Sequence, residues 1–174
     1  EIIEDGVMVT NFHRIKSLKN NTITLYDPIM YPIVASDNWT VSTWFPAIGC
    51  GIENLHFKGN FTEKFKHHSS AIHDGGWSII EIVANANAWM KDCVFENVSN
   101  VAVIKKSANY TAINCKITGN GGHASISSVG SSRVLMAKCT DEASQWHAFG
   151  VSKMSCNTVI WRCKNPKDNC FESH

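Results

Sequence analysis

Four cysteines, Cys93, Cys115, Cys139 and Cys163, recur at intervals of 22, 24 and 24 residues, and nothing else in the chain constrains its fold so tightly. The surrounding text repeats with them. Trp89-Met-Lys-Asp-Cys-Val-Phe95 is followed by Ala112-Ile-Asn-Cys-Lys-Ile117, then by Leu135-Met-Ala-Lys-Cys139 and Val159-Ile-Trp-Arg-Cys163. An earlier copy, Ile52-Glu-Asn-Leu-His-Phe57, carries Leu55 at the cysteine position. Six residues before the four cysteines stand Asn87, Asn109, Arg133 and Asn157. Apolar residues alternate with polar ones around these marks, which is the period of a strand. A unit this short cannot bury its own inner face, so it is stable only when copies stack.

The period is that of one coil of a parallel β-helix, three short strands joined by turns. A leucine-rich repeat would need a leucine and asparagine framework that is absent, and helical repeats are longer with a 3.6-residue period. The expected fold is therefore all-β, a right-handed parallel β-helix (solenoid) with coils of about 22–24 residues. Stacking places Leu55, Cys93, Cys115, Cys139 and Cys163 in one inward column and Asn87, Asn109 and Asn157 in a turn ladder. The column cysteines are expected to be buried and reduced. Cys50, Cys156 and Cys170 have no assigned place, and no C-x-x-C pair suggests a zinc ribbon.

The coils resemble those of the pectin-lyase-like right-handed β-helix superfamily from about Ile48 onward. His67-His-Ser-Ser-Ala-Ile-His-Asp-Gly-Gly-Trp77 and Gly122-His-Ala-Ser-Ile126 are also similar to an uncharacterised β-helix family in bacterial polysaccharide-degrading proteins. The resemblance implies work on carbohydrate and brings no catalytic residues with it.

Residues 1–46 read as an N-terminal β-hairpin around Asn20-Asn21 with a capping and connecting segment broken by Pro28, Pro32 and Pro46. Residues 47–174 read as coils. The final coil stops partway, so a longer solenoid is expected, with further coils of the same chain or self-association at its ends. Sixteen basic residues stand against 15 acidic ones, and no basic stripe marks a nucleic-acid partner. No apolar run is long enough to span a membrane.

Counting back from each cysteine sorts the preceding strand into faces. Ser78, Asn100, Ala124 and Ala148 fall inside, as do Ile80, Ala102, Ile126 and Gly150, and Ile82, Ile104, Ser128 and Ser152. Trp77, Ser99, His123 and His147 fall outside, with Glu81, Lys105 and Lys153 on the same face. The period breaks once: Leu55 to Cys93 spans 38 residues, so a histidine-rich insertion occupies 60–76. A polar loop on a rigid scaffold is a site signal.

Two chemistries suit this face. A polysaccharide lyase abstracts the proton α to a uronate carboxylate while cations or a metal stabilise the enolate. His123, His147 and Lys105 are the base candidates. A glycoside hydrolase needs two carboxylates across the bond, and Asp74 and Glu81 are the nearest pair. Trp77, His67, His68, His73 and Lys153 would bind substrate. A non-catalytic carbohydrate-binding or adhesin-type module and a structural solenoid stand as alternatives. No D-x-D cluster offers a calcium site. His67, His68 and His123 could bind a transition metal, yet no tight ligand spacing singles out a metal set, so a divalent cation is the only cofactor considered. A polysaccharide partner implies a secreted or cell-envelope location.

Overall fold

The computed structural model describes residues 10–76, 78–166 and 171–173. It is all-β, a parallel β-solenoid of about four turns. Three parallel sheets run along the stack. Sheet one holds Ser78–Val83, Asn100–Lys105, Ala124–Val129, Phe149–Ser152 and Phe171–Ser173. Sheet two holds Asn85–Lys91, Ala108–Ile113, Ser132–Ala137 and Val159–Trp161, with Ala47–Ile48 and Gly51–Glu53 both beside Asn85–Lys91. Sheet three holds His56–Lys58, Val94–Glu96, Lys116–Thr118 and Thr140–Asp141. Among the described residues the only helical pieces are a 3-10 turn at Ala35–Asp37 and a π-helical turn at Ile72–Gly76.

Each coil turns a corner on a residue in the left-handed backbone region. Asn54, Asp92, Asn114, Lys138 and Arg162 hold φ between 52 and 55° immediately before the five column positions. A side chain other than Asn or Asp pays roughly 1–2 kcal/mol for that conformation. Stacking offsets the cost, because each αL residue lies over another and the polar ones bond across coils: Asn114 donates to Asp92 at 3.1 Å. The ladder of Asn87, Asn109, Arg133 and Asn157 is a second αL series, set within the sheet-two strands as a kink. Asn109 donates to Asn87 at 2.9 Å, and Arg133 donates to Asn109 at 2.6 Å.

The interior is narrow and dry. Cys93, Cys115, Cys139 and Cys163 are buried in one column as free thiols, alongside Met90, Met136, Phe95, Ile117, Ile104 and Ile126. Cys156 is also buried and free, Cys50 is exposed, and Cys170 lies outside the described residues. Leu55 keeps the register, since Val94 N bonds its carbonyl, but its side chain is 47% exposed. It lies at the end of the stack, where no described coil covers it. That corrects its place in the buried column.

Two further columns differ from expectation. Between the third and fourth coils sheet one pairs Ser127 with Gly150 and Val129 with Ser152, an interval of 23 residues. The loop after Asp141 is one residue shorter than its counterpart after Ile117, and the turn after Ser152 is one longer. Phe149 consequently lines up with Ile126 and is fully buried, correcting the assignment of Ala148, Gly150 and Ser152 to the inward columns. Asn100 was expected inside and Ser99 outside. Instead Asn100 turns toward the insertion, donating to Asp74 O at 3.0 Å, and Ser99 is fully buried beneath it, donating to His73 O.

At the N-terminus, Ile15–Lys19 and Thr22–Leu25 pair antiparallel across Asn20-Asn21, whose φ values of 47 and 59° suit a type I′ turn. Arg133 donates to Phe12 O at 2.6 Å and Tyr31 to Met154 O at 3.2 Å, so this segment lies along the flank of the stack.

Candidate functional site

The insertion is a strap. It leaves sheet three at Lys58, and Phe61, 1% exposed, wedges against the coils with its N–H bonded to Asn97 O at 3.0 Å. The strap then crosses the stack. Asn120 of the second coil donates to Glu63 O at 2.6 Å, and the Phe65 ring lies 6.0 Å from both His123 and Trp146. His67 reaches the fourth coil, where its Nε2 sits 3.2 Å from His147 Nε2. The return passes through the π-helical turn to Ser78, fixed by Ser99 and Asn100.

The strap thereby gathers His67, His123 and His147, one ring nitrogen of each within 4.8 Å of the others. The rings of His123 and His147 meet edge to face at 4.9 Å, and Trp146, 50% exposed, stacks on His67 at 5.1 Å.

Neighbours fix two of the tautomers. A carboxylate only accepts, so His147 Nδ1 donates to Glu172 Oε2 at 2.6 Å. The Asn100 amide donates through Nδ2 to Asp74 O, which turns its Oδ1 toward His123 Nδ1 at 3.1 Å. His123 Nδ1 is therefore a donor too, and Nε2 is the basic nitrogen of both rings. Burial, with His147 beside it, lowers the pKa of His123; desolvation and the neighbouring His68 and His147 lower that of His67. The cluster is biased toward neutral imidazole.

A buried carboxylate sets the far side. Asp141 accepts from Ser125 at 2.7 Å, Ser144 N at 2.9 Å, Gln145 N at 3.0 Å and Asn165 at 2.7 Å. Gln145, also buried, donates to Val98 O at 2.9 Å and accepts from Gly122 N. This network fixes the short loop that delivers Trp146 and His147. It also fixes the Gly122 turn ahead of His123, whose N–H and carbonyl both enter the sheet.

An open cleft of about 310 Å³ runs from the cluster along the outer face of sheet one. His123, His147 and Glu172 line one part of it, and Ser127, Val151 and Lys153 another. Lys105 and Glu81 lie on adjacent strands of this sheet and form an ion pair. Asp74 is engaged by the strap, accepting from His68 N at 2.9 Å. His68 lies over His67, ring centroids 3.8 Å apart, and His73 is 6% exposed with Nε2 3.4 Å from Glu63. His73 thus supports the strap from within. Trp77 lies outside the described residues. Asn100, Asp141, Gln145, Trp146 and Glu172 had no signal in the repeat, apart from the proximity of Trp146 to His147 in sequence. The remaining histidines lie away from the cluster; His56, for example, pairs with Glu96 at 3.0 Å.

Residues 144–174 match a family model described as a domain of unknown function, DUF4955. The matched segment carries Trp146, His147, Lys153 and Glu172. No curated protein and no solved structure matched the chain. Among the described residues no helix is long and apolar enough to cross a membrane.

Proposed function

We propose that the outer face of sheet one binds an acidic, uronate-containing polysaccharide and cleaves it by β-elimination. The observation that carries this reading is the single cleft in which His123, His147 and Lys153 meet on a rigid parallel sheet. β-Elimination needs one group that neutralises the uronate carboxylate and another that takes the α-proton. Imidazole and ammonium groups within one cleft supply both kinds. Parallel strands also give a long shallow track suited to a polymer, and half-exposed Trp146 offers a face for a sugar ring. The fold supports the resemblance to pectin-lyase-like proteins, and a polymer of this kind implies a secreted or envelope location.

Hydrolysis is the weaker reading, because Asp74 is engaged by His68 N and Glu81 by Lys105. The test is a screen against neutral and uronate-containing polysaccharides, following new reducing ends and the ultraviolet absorbance of an unsaturated product. Both signals together, abolished by His147→Ala, are the expected result. Reducing ends without absorbance would overturn elimination, and binding without either signal would make the face a binding surface.

A further inference from the structure

We propose that His67, His123 and His147 bind one divalent transition-metal ion, with Glu172 and Asn100 orienting two of the three ligands. Two nitrogens at about 2.0–2.1 Å from a tetrahedral zinc ion lie roughly 3.3–3.4 Å apart. His67 Nε2 and His147 Nε2 already stand at 3.2 Å, and the third ring nitrogen is within 4.8 Å of them. The surrounding hydrogen bonds are of the kind that ligand histidines require. A metal-binding imidazole ordinarily donates its second N–H to a carboxylate or amide oxygen, which fixes its tautomer and makes the other nitrogen a better donor to the ion. His147 does so to Glu172 and His123 to Asn100.

The donor set also chooses the ion. Three imidazoles without a carboxylate oxygen suit zinc, cobalt, nickel, copper or ferrous iron; calcium and magnesium demand oxygen ligands. Three protein ligands leave a coordination position open, the arrangement of reactive rather than purely structural zinc. His123 and His147 line the cleft, so that position is reached from the cleft. A water or a substrate carboxylate oxygen would fill it.

Structure would follow from the same bonds. His67 is 80 residues from His147 in sequence, and the ion would tie the strap to the third and fourth coils. In its last step the inference deepens the lyase reading and rests on it: the ion would take the carboxylate, leaving proton abstraction to a group such as Lys153. Metal binding itself stands independently of that step.

The test uses chelator-stripped protein in a Cys50→Ser background, which removes the exposed thiol, and contains no polysaccharide. Zinc is titrated by calorimetry, and cobalt is added to read coordination from its visible spectrum. One equivalent should bind, with a tetrahedral cobalt spectrum and a higher Tm. His67→Ala, His123→Ala and His147→Ala should each weaken zinc at least about 100-fold, and Glu172→Gln about 10–100-fold. His56→Ala should change nothing. Circular dichroism in chelator establishes that each variant is folded before titration, and His67→Ala alters only the strap. No binding, or binding that survives both His67→Ala and His147→Ala, overturns the proposal. Failure of the polysaccharide screen leaves these titrations untouched.

Discussion

The imidazole of His147 donates to the carboxylate of Glu172 at 2.6 Å, a bond that joins one coil of the solenoid to the next. It fixes which nitrogen of His147 faces the cluster. Glu172→Gln removes the negative charge and lets either tautomer form. Turnover of a uronate polymer should fall about 10–100-fold, while Tm measured in chelator stays close to wild type.

Phe61 holds the strap down. Removing a fully buried phenylalanine costs about 3–5 kcal/mol where the site cannot collapse. Phe61→Ala should release the strap before the coils melt. Limited proteolysis would then cut within 62–72, with the β-sheet circular dichroism retained. Protection equal to wild type would show that Phe61 does not anchor it.

Asp141 gathers Ser125, Ser144, Gln145 and Asn165 around one buried carboxylate. Asp141→Ala leaves several buried donors stranded, each costing about 1–3 kcal/mol. A loss of at least about 3 kcal/mol is expected in denaturant unfolding, together with lost activity as the loop carrying His147 shifts.

Acid should loosen the metal-free protein. Folding lowers the pKa of His67 and of His123, so between the folded values and about 6.5 the unfolded chain binds more protons. Stability therefore rises with pH in that window, and is lost as pH falls through 6.5. His147 and His68 oppose protonation of both rings, and Asp74 favours it for both; Glu172 favours it at His67. Tm in chelator should drop between pH 7 and pH 5, and His67→Ala should flatten the drop.

The thiol column should be silent. Burial raises the pKa of Cys93, and Cys115, Cys139, Cys156 and Cys163 are likewise shielded from solvent. An alkylating reagent should modify Cys50 at once and these five only in denaturant, as read by peptide mass spectrometry. Fast labelling of Cys139 in native protein would contradict the packing.

The repeat was legible because it is written in residues with one structural job. Small thiols fit the core at a fixed interval, and asparagine tolerates αL backbone at each kink. His123 and His147 could be assigned to the outer face from the same count. What escaped was carried by single residues outside the period. Asp141 shortens one loop by a residue and moves Phe149 inward, and no composition signal distinguishes that loop from its neighbours. The insertion was visible as a break in the period. Its path was not, because Phe61 as a wedge and His67 as a partner of His147 depend on contacts across 36 and 80 residues.

The strap carries a consequence for assembly. In a strand, slipping the register by one residue moves every side chain to the opposite face. His67 meets His123 and His147 only when two successive coils have both settled in register and the strap has closed over them. The three rings would then act as a proofreading lock, engaging late in folding and engaging only a correctly wound chain.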